Sequence, residues 1–163
     1  MNQLERQLLS LADRLREAPE TGDIDGVRRA VLAMATEAQA LDAADPDDQA
    51  VRRLYDYVDA SSRQAVRDPQ CWRVRERSDI DIGLSAVLAA SRRGGSVYAL
   101  SCIRDDLSGL SHRIEALASP DREMLRDLFA YVGEKNRQAL DLAVRATWHV
   151  PWTELPAPHG SVR

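Results

Sequence analysis

Residues 45–66 read DPDDQAVRRLYDYVDASSRQAV, and residues 119–140 read SPDREMLRDLFAYVGEKNRQAL. Aligned without a gap, 74 residues apart, they agree at nine of 22 positions: Pro, Asp, Arg, Leu, Tyr, Val, Arg, Gln and Ala. Three further pairs, Val51/Leu125, Tyr55/Phe129 and Val66/Leu140, exchange one apolar side chain for another of similar size. Unrelated segments of this composition match at roughly one or two positions, so the chain reads as an internal duplication.

The likeness extends upstream of this stretch. A shift of 73 lays Ile24, Val27, Met34 and Leu41 on Val97, Leu100, Leu107 and Ile114, and Leu11 and Leu15 on Leu84 and Leu88. Apolar residues at three- and four-residue spacing predict helices over about 2–18, 24–44, 45–68, 79–92, 96–118 and 120–147. Pro19 and Gly22 are expected to end the first helix and Asp23 to cap the second. Asp45-Pro46 and Ser119-Pro120 read as cap and first-turn proline of the third and sixth. Gly94-Gly95 separates the fourth from the fifth.

The expected fold is therefore all-α: a six-helix bundle built from two tandem three-helix repeats, with an extended C-terminal tail. One domain spans 1–163, with repeat 1 at about 2–68, a linker at 69–78, repeat 2 at about 79–147 and the tail at 148–163. Three short helices bury little alone, so the halves should pack on each other about an approximate two-fold.

Composition narrows the function classes. A net charge of −4 gives no general attraction to nucleic acid or anionic lipid. No apolar run approaches the roughly 18 residues of a membrane span. The first residues, MNQLERQLLSLADRLRE, lack the apolar core of an export signal. With two cysteines, Cys71 and Cys102, this points to a reduced, cytoplasmic setting. Among the 22 basic residues only Lys135 is Lys, as a GC-rich bacterial coding sequence would give.

Motifs for chemistry are sparse. The sequence holds no C-x-x-C, H-E-x-x-H, G-x-S-x-G or phosphate-binding glycine loop, and it calls for no cofactor and no metal. His112 with Glu115, and Arg145 with His149, are the pairs an enzyme reading would use. Basic residues favoured at a helix C-terminus account for the second pair equally well. Around Cys71-Trp72 stand Arg63, Arg67, Arg73, Arg75 and Arg77, a mixture able to hold phosphate and stack a base. Asp68, Glu76, Asp79 and Asp81 interleave with them, and pairing across the bundle explains the same letters better than nucleic-acid binding.

Differences between the copies are more pointed. Arg52, Asp56, Asp59 and Arg63 lie along one face of the third helix. The same face of the sixth reads Arg126, Ala130, Gly133, Arg137, so both acids have become small. Arg126 and Arg137 would flank a shallow seat for an acidic partner, or the change is drift on a solvated face. Tyr57/Tyr131 and Gln64/Gln138 recur in both copies, as hydroxyl or amide contacts between helices would require. Trp72, Trp148 and Trp152 fall outside the regular stripes and either cover a bundle end or meet a partner. The expected function is a non-enzymatic, cytosolic protein-interaction module of the immunity, antitoxin, chaperone or adaptor kind, binding another protein through Trp72, Arg126, Arg137, Trp148 and Trp152. A homodimer is compatible with it. A small helical enzyme or ligand-binding bundle is the alternative, and a nucleic-acid-associated regulator the second.

Overall fold

A computed structural model describes residues 1–21, 23–68 and 75–148. Over these the chain is all-helical: α1 (Gln3–Thr21), α2 (Ile24–Ala33), α3 (Ala35–Gln39), α4 (Pro46–Arg67), α5 (Arg75–Arg93), α6 (Val97–Glu115) and α7 (Asp121–Trp148), packed together. None of these helices is long and apolar enough to cross a membrane.

The helices start and stop for local reasons. Asn2 Oδ1 accepts the Glu5 amide at 2.7 Å and caps α1. Asp45 accepts the Asp47 amide with Pro46 at the first position of α4, and Ser96 accepts the Ala99 amide at the start of α6. Gly94 and Gly95, at φ 71° and 144°, take the backbone through the left-handed region between α5 and α6.

Five expectations need correction. The helices number seven because the second breaks at Met34, whose amide bonds the Val31 carbonyl at 3.0 Å in one tightened turn. The chain then leaves the helix before residue 44, since Asp48 and Asp42 carboxylates take the amides of Asp42 and Ala44. Pro19 does not stop α1, which runs to Thr21; so near the end, its missing N–H forfeits only the bond to Leu15. Asp23 stands at the cap position of α2, but its carboxylate turns to Arg14 and passes over Gly26, where an added Cβ would lie 2.3 Å from Asp23 Oδ1. The linker drawn at 69–78 is helical from Arg75, because Arg77 is buried against α4 and α7. Residues 69–74 of that linker and 149–163 of the tail lie outside the described residues; Trp148, assigned to the tail, is the last residue of α7.

α4 and α7 form the central antiparallel pair. Gln138 Nε2 donates to Asp47 at 3.0 Å, Arg53 to Asp127 at 3.1 Å and Gln64 Nε2 to Asp121 at 3.3 Å. α5 runs parallel to α7, from Arg77–Asp121 to Ser91–Asn136. α6 runs antiparallel to α7, from Leu100–Asn136 to Glu115–Arg126. α1 lies antiparallel to α5, and α2 is tied to α4 by Arg28. Leu8, Val27, Leu54, Leu84, Leu125 and Val132 are wholly buried where these helices meet.

Candidate binding cleft and the end of α7

Two polar clusters lie inside the bundle, each joining the two halves of the chain. Tyr131 of α7 donates its hydroxyl to Glu5 Oε1 of α1 at 2.6 Å, and Lys135 Nζ reaches the same oxygen at 2.7 Å and Asp47 at 3.0 Å. Glu5 is only 1 % exposed, and its second oxygen has no partner among the described residues. Tyr57 of α4 is hydrogen-bonded to Asp81 of α5, whose carboxylate Arg16 holds at 3.0 and 3.1 Å. Burial and then the neighbouring acid push both phenols far above their ordinary value. Burial opposes the charge on Lys135, but its bonds to Glu5 and Asp47 outweigh that and raise it. Asp47 falls below the usual carboxylate range because Gln138 and Lys135 donate to it. The chain's single Lys is thus a seam residue between α1, α4 and α7.

The arginines singled out from the repeat have intramolecular partners. Arg126 lies along Glu115, Nε to Oε1 at 2.8 Å, at the exposed end of α6. Arg137 is held by Glu134 and Asp141, one turn to either side. They do not flank a common seat. Only Arg137 borders an open cleft, a space of about 440 Å³ between α6 and α7. Its rim is Arg104, Ser108, Ser111, Gly133 and Arg137, and its floor is Leu107, Phe129 and Leu140. An added Cβ at Gly133 would meet no atom within 4 Å, so packing does not demand glycine there. Arg104 has no acid within ion-pair reach among the described residues, and Ser108 and Ser111 bond no other side chain there. The volume suits a small ligand or a protruding side chain, a range of roughly 300–1,000 Å³.

Past this cleft α7 outruns its neighbours. Gln138 already stands opposite the start of α4, and Asn136 beside the last turn of α5 and the first of α6. Leu142, expected to face inward, is 67 % exposed because no helix remains to cover it. Val144 and Trp148 are exposed with it, Trp148 to 81 %. Trp72 and Trp152 lie outside the described residues.

The residues of the other readings are dispersed. His112 and Arg145 are exposed on different helices, and Glu115 is engaged by Arg126. Arg77 bonds Gln64 and Ser61 and faces Asp121, while Arg63 pairs with Asp59. Among the described residues no three His, Cys, Asp or Glu side chains are placed to hold a metal ion. Arg104, Ser108 and Ser111 were not singled out from the sequence. The signal lay in aligning them with Val31, Ala35 and Ala38, an apolar-to-polar change between the copies. No family model, curated protein or solved structure matches this chain.

Proposed function

We propose that this protein is a non-catalytic protein-interaction module, made of two copies of one three-helix unit packed about an approximate two-fold, with its binding surface on the second copy. The duplication is supported by reciprocity. Gln64 donates to Asp121 and Gln138 to Asp47, and both the donors and the acceptors are 74 residues apart. Arg53 pairs with Asp127, its own equivalent, as a residue near a two-fold must. Two tyrosines 74 residues apart each bond a buried acid of the opposite half.

The observation that carries the interaction reading is the projecting end of α7. Large apolar side chains clustered on a helix with no neighbour are what a partner covers, and Trp is enriched at such anchors. Affinity purification from the source cells with the wild type and a Leu142→Glu, Trp148→Ala variant tests it. A protein retained by the wild type, lost by the variant at unchanged Tm, is the expected result. Equal retention, or a large fall in Tm, would assign these side chains to other roles.

A further inference from the structure

Comparing the two copies position by position separates what the scaffold needs from what was altered. In the first copy, α2 is fastened to α4 at this place. Arg28 Nη1 donates to Asp59 Oδ1 at 2.6 Å, to the Asp59 carbonyl at 3.3 Å and to Ser62 Oγ at 3.0 Å. Val31 and Ala38 are buried beside it. In the second copy the corresponding residues are Ser101 for Arg28, Gly133 for Asp59, Arg104 for Val31 and Ser111 for Ala38. The ion pair that closes the seam is gone from both sides at once. Two buried apolar positions now carry a guanidinium and a hydroxyl, and the α6/α7 cleft lies where those four changes meet.

From this we infer that the α6/α7 cleft is a binding site for a carboxylate carried on an apolar body. The inference rests on the duplication proposed above and names the chemistry of the binding surface. The donors are Arg104, Ser108 and Ser111, with Arg137 on the opposite wall; the apolar floor is Leu107, Phe129 and Leu140. Guanidinium and hydroxyl N–H and O–H groups ask for an acceptor-rich anion, and guanidinium geometry matches a carboxylate. Arg63, the counterpart of Arg137, pairs with Asp59 four residues before it. Arg137 has Gly133 at that place, and its acids Glu134 and Asp141 flank it instead. Two sources present this chemistry: a free aliphatic acid, or a Glu or Asp side chain between apolar residues of a partner protein.

The test uses the full chain, nitrogen-15-labelled, followed by amide shifts. Sodium octanoate, octylammonium chloride, the peptide acetyl-Leu-Glu-Leu-amide and its Gln counterpart are titrated in turn. Saturable shifts at Ser108, Ser111 and Gly133 with the carboxylate probes are expected, at least about tenfold weaker with octylammonium and the Gln peptide. Arg104→Glu and Gly133→Asp, the latter restoring the first copy's residue, should each weaken octanoate binding by about tenfold or more while distant amides stay in place. Tighter binding of the Glu peptide assigns a partner-protein segment, and tighter binding of octanoate assigns a small molecule; both support the site. Equal response to octylammonium, or no saturable shift with any carboxylate, overturns it. The outcome is separable from the interaction reading: a partner still retained through Trp148 by Arg104→Glu protein would leave that reading standing without this site.

Discussion

Glu5 and Asp81 are the two buried acids on which the halves meet, and they are held unequally. Asp81 has two bonds from Arg16 besides the Tyr57 contact, whereas Glu5 has Lys135, Tyr131 and one oxygen without a partner. Removing the Tyr131 hydroxyl strips the less well satisfied carboxylate, at a cost of about 1–3 kcal/mol for an under-bonded buried group. Tyr131→Phe should therefore lower the urea midpoint more than Tyr57→Phe. Equal or reversed effects would mean that the two clusters do not work as described. The tyrosines were legible in the sequence because they recur in both copies. Their partners were not, since Glu5 and Tyr131 are 126 residues apart and meet only through the tertiary fold.

Along the helices, the apolar period foretold the buried faces and failed where a helix lacks a neighbour or tightens. Leu54 and Leu128 are buried as their stripes require, and Leu142 continues the same period in the open. The break at Met34 was hidden because apolar residues persist through it at helical spacing. Leu54→Ala and Leu128→Ala should each cost about 2–5 kcal/mol in a denaturant titration. Exposed Arg52→Ala should cost less than about 1 kcal/mol. Gly133→Ala should raise stability by about 0.5–1 kcal/mol, because helix propensity improves and nothing obstructs a Cβ; a loss would reveal a packing role. The α4/α7 seam also has a pH signature. Asp47 titrates below its ordinary 3.8 in the fold, so below that pH the unfolded chain binds the proton first. Its contribution is present above pH 3.8 and is lost as pH falls through the lower, folded value. Asp47→Asn should thus be less stable than wild type at pH 7, with the gap closing in acid; a gap constant with pH would contradict the pairing with Gln138 and Lys135.

For the whole molecule, the two halves keep the same internal contacts and differ at their surfaces. The all-helical class, the α4 and α7 segments and the proline-started third helix could be read from one stretch of sequence. The cleft could not, because it exists only where α6 passes α7, and its rim residues are unremarkable until set beside Val31, Ala38 and Asp59. That difference supplies an internal control for function. A photo-crosslinking residue placed at Ser108 reports on the second copy's cleft, and one at the aligned position Ala35 reports on the first copy's counterpart. Irradiated in the source cells, the Ser108 protein should yield a discrete crosslinked partner that the Ala35 protein does not. Equal crosslinking from both positions, or a partner from Ala35 alone, would contradict the assignment of binding to the second half.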